Sequence, residues 1–304
     1  MTKIWGCSKG RGKQAEMKKK ISLFNLVNVS FLSMVCVVTL IPFLLVVAVA
    51  FSDEKSVAAN GYRLFPQDWS LDAFKAILGD GSTVFNAYKV TLFVTIIGTA
   101  LAVIITSMMG YALSRKCLRY RNVINLIAYI PMVFYGGLVP FYMVLLKLHL
   151  KDSIWGLIVP MLLNPFNLFL ILNFFRGLPD AVIESAKIDG AGEFLIYRKI
   201  VMRLALPGLA TITLFYAMAY WNDFTLALLL INENKLYPLQ YLLRMVLQRV
   251  TYVSSAMGSQ SMGNIPSEST KMATVVVTIG PIILVYPFIQ KYFIKGITIG
   301  AIKG

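Results

Sequence analysis

The sequence predicts an all-α polytopic membrane protein with six transmembrane helices, and three observations support this prediction. Hydrophobic residues make up 58% of the 304 residues and charged residues only 14%, whereas a soluble domain carries charge on about a quarter of its residues. The mean hydropathy is +0.71. Apolar windows of about 20 residues, the length that crosses a bilayer core, recur along the chain without the alternation of a barrel strand.

Each predicted span is a long apolar window bounded by polar or basic residues. The first is an uncleaved anchor, because its apolar stretch exceeds the roughly 7 to 15 residues of a signal peptide. Five prolines inside four of the windows predict kinks or segment ends there: Pro42, Pro131, Pro160, Pro281 and Pro287. The six windows are Leu23–Phe51, Tyr88–Leu113, Val123–Leu146, Ile154–Phe175, Leu204–Ile231 and Met272–Phe293.

The basic residues predict the orientation of the chain. Nineteen of the 29 Lys and Arg residues fall on one side if the N-terminus is cytoplasmic, as the positive-inside rule requires. Both termini are therefore expected in the cytoplasm of a multi-pass protein of the cell membrane. The domain organisation is a basic tail (1–22), a transmembrane domain (23–295) and a C-terminal tail (296–304).

Several function classes are disfavoured by what the sequence contains. The net charge of +15 is explained by positive residues that meet anionic lipid at the inner leaflet, so no nucleic-acid partner is expected. The three cysteines are scattered and predict no disulfide framework. With a single histidine, His149, no metal site or catalytic constellation is expected, and the chain has no phosphate-binding G-x-x-x-x-G-K-[ST] loop.

A polar segment interrupts the apolar pattern on the predicted cytoplasmic side, between the fourth and fifth spans. It holds four acids, Asp180, Glu184, Asp189 and Glu193, within fourteen positions. Asp180 is placed to cap a helix that follows Pro179, and Gly190 is placed to end it in the left-handed conformation. A helix of two to three turns does not persist alone in water, so a partner must hold it.

Two side-chain arrangements are expected on this short helix. Ser185 and Ala186 are small, and another backbone could approach them closely. Glu184 and Lys187 are three residues apart and are expected to pair on the polar side. An interfacial loop helix without any partner remains the alternative.

At this point the residues resemble a known family. The runs Glu184–Ala186 and Asp189–Ala191, followed by Ile200 and Pro207, resemble the EAA loop of permease subunits of binding-protein-dependent ABC importers, here about residues 177–207. The spacing matches throughout. Three further stretches in the same order resemble the carbohydrate-uptake branch, and the Gly136-Gly137 pair and the chain's ending look most like complex-oligosaccharide permeases of Gram-positive bacteria. These stretches are Gly136–Pro160, Ala219–Phe224 and Tyr286–Gly304.

The loop departs from the family pattern at three positions. Ser185 stands where the pattern has its first alanine, and Arg203 and Leu206 stand where many relatives have proline and lysine. Serine is small enough to leave the packing unharmed. Arg203 removes a chain stop, so the fifth helix is expected to begin earlier than in relatives.

The resemblance implies a division of labour among several subunits. This chain would form the translocation path with a second homologous permease, an extracytoplasmic binding protein would deliver the sugar, and two cytoplasmic ATPase subunits would bind ATP and magnesium. No cofactor is expected in this chain, and it is not expected to be an enzyme. The coupling helix between spans 4 and 5 would dock in the ATPase and tilt those spans. The residues implied in this coupling are Glu184, Ser185, Ala186, Asp189, Gly190 and Ala191.

Solute contact is expected near the outer part of the fifth span. An acid at this depth is costly and must face a partner or a wet cavity, and aromatic rings beside oxygen acceptors suit a sugar. Polar packing between helices is the alternative. The candidate residues of the path are Tyr216, Tyr220, Trp221, Asn222 and Asp223, with Asn167 in the fourth span.

Two other functions remain open from the sequence. A permease of the same architecture could carry a solute other than a sugar. A stand-alone secondary transporter would share the hydropathy, but it would need intramembrane carboxylates for a coupling ion, and Asp223 is the one clear candidate.

Overall fold

A computed structural model of the protein describes residues 23–79, 81–256, 268–281 and 283. Within these ranges the structure is helical, with no strand beyond one isolated antiparallel bridge between Ser52 and Trp69. The predicted tails, 1–22 and 296–304, lie outside the described residues. Most of the second half of the predicted sixth span, Met272–Phe293, also lies outside the described residues. The first part of this span belongs to a helix over 268–281.

The chain divides between Leu45 and Val46 into two compact units. The first unit consists, in its described part, of most of helix α1, Leu23–Ala50. Its apolar side chains are largely exposed. An exposed apolar surface of this length is what a lipid-facing helix requires.

The second unit holds the other helices that the structure describes. They are α2 (Glu54–Asn60), α3 (Asp72–Leu78), α4 (Gly81–Ser114), α5 (Arg121–Val133), α6 (Leu138–Lys147), α7 (Ile154–Ile158), α8 (Pro165–Arg176), α9 (Asp180–Ile188), α10 (Glu193–Ile196), α11 (Met202–Leu204), α12 (Leu206–Asn222), α13 (Thr225–Leu230), α14 (Leu239–Ala256) and α15 (268–281).

Two of the described helices are long and apolar enough to cross a membrane, Leu26–Ala50 and Thr83–Ser114. The count rises to four if two bent pairs each form one crossing. These pairs join Ile154–Met161 to Pro165–Arg176, bent by 48°, and Glu193–Leu204 to Leu206–Asn222, bent by 85°. The first two predicted spans are thereby confirmed as single helices, while the count of six stays a prediction.

The third predicted span, Val123–Leu146, is wrong as a single helix. It is divided into α5 and α6 by the non-helical residues 134–137. Pro131 near the end of α5 removes a backbone donor, and Gly137 has a φ of +90°, which only glycine adopts readily. Hydropathy alone does not register this break, because the residues in it are as apolar as their neighbours.

The fourth span bends at the predicted position. A short 3-10 turn, Val159–Met161, contains Pro160, and α8 begins at Pro165. The backbone amide of Asn164 at the bend donates to the Tyr216 hydroxyl at 2.9 Å, and the Asn164 side chain accepts from the amides of Phe166 and Asn167. The polar groups freed by the bend are therefore satisfied inside the protein, as a membrane interior requires.

The core forms where α4 packs against α8 and α12. Glycines permit this close approach. Gly98 of α4 faces the Tyr220 ring of α12, Gly110 of α4 faces Ile171 of α8, and Gly208 of α12 faces Phe174 of α8. Small residues at helix contacts are the usual means of tight packing in membranes.

Gly98→Ala should lower the stability of the fold. A Cβ at this position would lie 2.7 Å from the Tyr220 Cζ atom, and the ring is fixed because its hydroxyl donates to the Ile158 carbonyl at 2.9 Å. Overpacking of this kind costs about 1 to 3 kcal/mol. Thermal unfolding of the purified chain in detergent measures the loss. Gly136→Ala is the control, because its Cβ would meet no atom within 4 Å, and equal unfolding temperatures for the two variants would contradict the packing.

Candidate functional site

Helix α9 is the short helix that the sequence predicts in the polar segment. It follows Pro179 and ends at a C-terminal turn in which Gly190 has a φ of +82°. The Gly190 amide donates to the Lys187 carbonyl at 3.0 Å, and the Ala191 amide donates to the Ala186 carbonyl at 2.9 Å. These two bonds are those of a Schellman motif. The prediction that Gly190 ends the helix in the left-handed conformation is confirmed.

Two predicted contacts of α9 are wrong. The Asp180 carboxylate does not cap the helix but accepts from Lys116 Nζ at 3.2 Å. Lys187 pairs with Glu193 Oε1 at 2.5 Å and not with Glu184. The turn at Gly190 brings Glu193 back over the end of α9. Lys187 therefore pairs with Glu193 across the turn, in place of the predicted pair with Glu184 along one face of the helix.

Ser185 and Ala186 do not share a face, contrary to the sequence interpretation. Ala186 is 8% exposed and lies with Ile183 in the core, whereas Ser185 and Glu184 are exposed. Ala186 therefore holds α9 against its own chain. The surface that α9 offers outward contains Glu184, Ser185, Asp189 and Gly190.

Two exposed apolar side chains among these acids were missed from the sequence. Ile188 is 86% exposed and Phe194 is 65% exposed. Exposed large apolar side chains next to acids can contribute to a surface that binds another protein. In the sequence, the position of Ile188 and Phe194 among four acids was the signal that could have indicated this exposure.

Three contacts join residues 180–197 to the end of α4 and the turn that follows it. Glu193 accepts from the Tyr111 hydroxyl at 2.5 Å, the Tyr197 and Ser107 hydroxyls are hydrogen-bonded at 2.8 Å, and Lys116 pairs with Asp180. Sequence reasoning found none of the α4 residues, because these contacts join positions some 64 to 90 residues apart.

The position of Glu193 between Lys187 and Tyr111 affects its protonation. The hydrogen bonds from Lys187 and then from Tyr111 hold the pKa of the Glu193 carboxyl below its ordinary value. Because the folded-state pKa is lowered, the stabilising contribution of this carboxylate is present at neutral pH. It is lost only as the pH falls through the lowered pKa.

Two of the predicted path residues line one cavity between α8 and α12. Asn167 and Tyr216 both border this space of about 520 Å³ beside the bend of the fourth span. Tyr216 is buried and its hydroxyl is hydrogen-bonded to Thr106 at 2.7 Å. Asn167 is 4% exposed, and its side chain makes no hydrogen bond with any residue that the structure describes. A buried carboxamide of this kind is suited to a bound polar solute.

The other predicted path residues lie apart from this cavity. Tyr220 packs on Gly98 and donates to Ile158, and Trp221 is buried with Ala87 and Leu239. Asn222 is exposed, and its side-chain amide donates to the Met218 carbonyl. These residues therefore have identifiable contacts within the fold, and the structure brings only Asn167 and Tyr216 together.

Asp223 occupies the break between α12 and α13. Its carboxylate oxygens accept from the amides of Thr225 at 3.3 Å and Leu226 at 3.2 Å. This is the geometry of a helix N-cap, and it accounts for the acid without a solute. A role in the solute path stays a prediction.

Asp223→Ala should destabilise the protein by about 0.5 to 2 kcal/mol, the usual cost of losing a capping side chain. Asp223→Asn keeps an acceptor for the two amides and should restore most of the stability. Thermal unfolding in detergent compares the two variants, and sugar uptake by the reconstituted complex is measured in parallel. If Asp223→Asn unfolds normally yet loses uptake, the carboxylate has a task beyond capping.

The arrangement defines the class of protein first. The structure contains apolar helices with at least two candidate crossings, and a largely apolar cavity with a few polar side chains lies at the bend of the fourth span. These are features of a helical membrane permease. The description of the matching family is more specific. Residues 102–299 match the model of the binding-protein-dependent transport system inner membrane component, and the chain belongs to this family.

Known relatives agree with this assignment. The chain is 40% identical over 286 residues to the polygalacturonan/rhamnogalacturonan transport system permease protein YtcP of Bacillus subtilis (strain 168), covering 94% of this chain and 100% of the relative. It is 27% identical to the arabinooligosaccharides transport system permease protein AraQ of Halalkalibacterium halodurans, covering 95% and 100%. The predicted resemblance to carbohydrate-uptake permeases is thus confirmed.

A solved structure gives a similar result for the fold. One chain of a bacterial ABC transporter involved in the import of the acidic polysaccharide alginate matches with a TM-score of 0.79 and 30% identity. The match covers 90% of this chain and 98% of that chain. The overall fold of this chain is therefore similar to that of one chain of an importer of known structure.

Proposed function

We propose that this chain is one permease subunit of an ATP-driven importer and forms part of the translocation path for a sugar. The sugar would be an oligosaccharide or a polysaccharide fragment, as the transport functions of the relatives support. An extracytoplasmic binding protein delivers it, a second homologous permease completes the path, and two ATPase subunits bind ATP and magnesium. The chain crosses the cell membrane six times with both termini in the cytoplasm.

The observation that carries this proposal is the outward surface of α9. Glu184 and Asp189 lie beside the exposed Ile188, while the Schellman turn and the buried Ile183 hold the helix rigid against its own chain. A rigid helix with an exposed mixed surface is suited to dock in a cleft of another subunit. Its acids favour basic residues in that cleft.

The contacts to α4 extend the proposed coupling beyond the fourth and fifth spans. Motion of α9 would reach α4 through Glu193 and Tyr111 and through Tyr197 and Ser107. Since α4 packs against both α8 and α12, closure of the ATPases would shift three helices together. Such rigid-body motion alternates the access of the path to the two sides of the membrane.

The cavity at Asn167 and Tyr216 is our proposed position for part of the solute path. Its volume of about 520 Å³ is within the range of small-molecule sites. The Asn167 carboxamide offers both a donor and an acceptor to sugar hydroxyls, and Phe166 and Phe215 supply aromatic surface.

Asn167→Leu should weaken sugar uptake while the fold stays intact. The substitution removes no hydrogen bond to a described residue. It removes the proposed hydrogen bond to the sugar, and this loss should raise the apparent KM for the sugar roughly two- to tenfold. Uptake by proteoliposomes containing the whole importer measures the change. Asn173→Leu is the control, because Asn173 lies on the same helix, is exposed and does not line the cavity. Equal uptake by both variants would remove Asn167 from the path.

The proposed function is tested by ATPase stimulation. The importer is reconstituted with its partner permease, ATPases and binding protein, and the binding protein is loaded in turn with members of an oligosaccharide panel. We expect stimulation by at least one oligosaccharide and none by the unloaded binding protein. Stimulation by amino acids or peptides in place of every sugar would overturn the assignment of the solute.

A further inference from the structure

Helix α14 has no task in the mechanism above and was not predicted from the sequence. One side of it is anchored: Leu239 is buried, and its amide donates to the Thr91 hydroxyl of α4 at 2.8 Å. On the other side Arg244, Gln248 and Tyr252 are exposed. They are four residues apart and so form one stripe, which extends about 12 Å along the helix at 1.5 Å per residue.

The stripe borders a groove of about 440 Å³. Two further residues complete its lining, Leu247 and Thr251. The lining thus combines a cation, a side-chain amide, a hydroxyl and an aromatic ring. This combination can hold a polar solute with a negative charge.

The charge of the groove is positive. Helix α14 contains Arg244 and Arg249 and no acidic residue. The Arg244 guanidinium lies 4.6 Å from the centre of the Phe224 ring and forms no ion pair with any residue of the described ranges. A guanidinium over an aromatic ring is attracted to the ring face, and its N–H groups remain able to donate two parallel bonds.

Contacts of Gln240 and Arg244 place the groove near the polar residues at the end of the fifth span. Gln240, one turn before Arg244, donates to Asn222 Oδ1 at 3.4 Å. Phe224, beneath Arg244, follows Asn222 by two residues. A solute bound along the stripe therefore lies next to the break that ends α12.

We propose that this groove binds the carboxylate of an acidic saccharide through Arg244, with Gln248 and Tyr252 contacting the sugar ring. The inference rests on the proposed function and specifies its substrate class as uronate-containing oligosaccharides. Carboxylate and guanidinium match in a bidentate geometry, whereas a neutral sugar offers no partner for the cation. The phosphate of a lipid headgroup shares this anionic chemistry, so the experiment must separate the two.

The test uses the importer assembled with its partner permease and ATPases in lipid nanodiscs, without binding protein. Trigalacturonate and its carboxyl-reduced, neutral counterpart are the probes, and binding is titrated by calorimetry. Arg244→Gln should weaken trigalacturonate binding about tenfold, the loss expected for a charge-assisted pair, and leave binding of the neutral trisaccharide unchanged. Arg249→Gln removes the same charge from α14 outside the groove and should change binding less than twofold.

Several outcomes would overturn the inference. They are absence of trigalacturonate binding to the unmodified importer, equal losses in the two arginine variants, or a loss for the neutral trisaccharide as large as for the acidic one. Arg244→Gln could instead leave trigalacturonate binding unaltered and lose the phosphatidylglycerol that the unmodified importer retains in native mass spectrometry. This result would show that Arg244 binds a lipid phosphate and not the saccharide. In each of these cases, ATP-dependent uptake of a neutral oligosaccharide by the complete importer would still support the proposed function. If the complete importer takes up no sugar at all, the proposed function is wrong.

Discussion

Gly190→Pro should abolish sugar uptake and association with the ATPase while membrane insertion stays normal. Proline fixes φ near −65°, whereas Gly190 has a φ of +82°, and proline also removes the amide that donates to the Lys187 carbonyl. The Schellman turn would be lost, and Glu193 could no longer return over the end of α9. Co-purification of the ATPase with the affinity-tagged chain measures docking, and proteoliposomes measure uptake.

Two further variants test whether the backbone conformation is the cause. Gly190→Ala keeps the amide and meets no atom within 4 Å, but a left-handed alanine costs about 1 to 2 kcal/mol, so an intermediate loss is expected. Gly192→Ala lies two residues away, where the backbone is extended and the space around the Cβ is open, and it should behave like the unmodified chain. Normal recovery of the ATPase with Gly190→Pro would show that α9 is not the docking element.

Glu193→Gln should uncouple transport from ATP hydrolysis without preventing docking. The change removes the charge that accepts from Tyr111 and pairs with Lys187. Hydrogen bonds to charged groups contribute about 1.5 to 3 kcal/mol, so we expect the sugar transported per ATP hydrolysed to fall roughly tenfold or more. ATPase rate and uptake are measured on the same vesicles.

The linkage to α4 is tested by a double-mutant cycle. Tyr111→Phe removes the other partner of the same bond, and the double variant with Glu193→Gln should be no worse than the poorer single variant. Tyr120→Phe is the control, because Tyr120 is an exposed tyrosine near the same helix end. Additive losses in the double variant would mean that Glu193 and Tyr111 act separately, and α4 would then have no part in coupling through this bond.

The sequence was informative where a single residue type is physically required. The left-handed turn after α9 needs glycine, and Pro160 disrupts helical hydrogen bonding, so Gly190 and the bend of the fourth span were both predictable. Composition likewise predicted an apolar helical protein. The long helix α4 followed from the length of its apolar window.

The sequence was uninformative where distant residues meet. Tyr111 contacts Glu193 across 82 positions, and the Tyr216 hydroxyl satisfies the amide of Asn164 across 52. No local pattern encodes such pairs. The break between α5 and α6 was indicated by Pro131 but not by hydropathy, because hydropathy measures the preference of a segment for lipid and not its ability to form one continuous helix.

The local interpretation of acids also had a limit. Asp223 was predicted as a solute contact because a charge within a span is costly, but the structure satisfies it with two backbone amides. Asn167 was predicted with less support and lies in the cavity with Tyr216. An acid can be explained by its own backbone, whereas the Asn167 side chain borders an open cavity and is available to a solute or water.

ATP-driven accumulation of a labelled oligosaccharide in proteoliposomes is the most direct test of the central claim. The vesicles contain this chain, its partner permease and the ATPases, with loaded binding protein on the extracytoplasmic face and ATP on the other. We predict accumulation against a gradient that requires ATP, the binding protein and an intact α9. Equal accumulation by the permeases alone, driven by an ion gradient without ATPase subunits, would contradict the account and identify a secondary transporter.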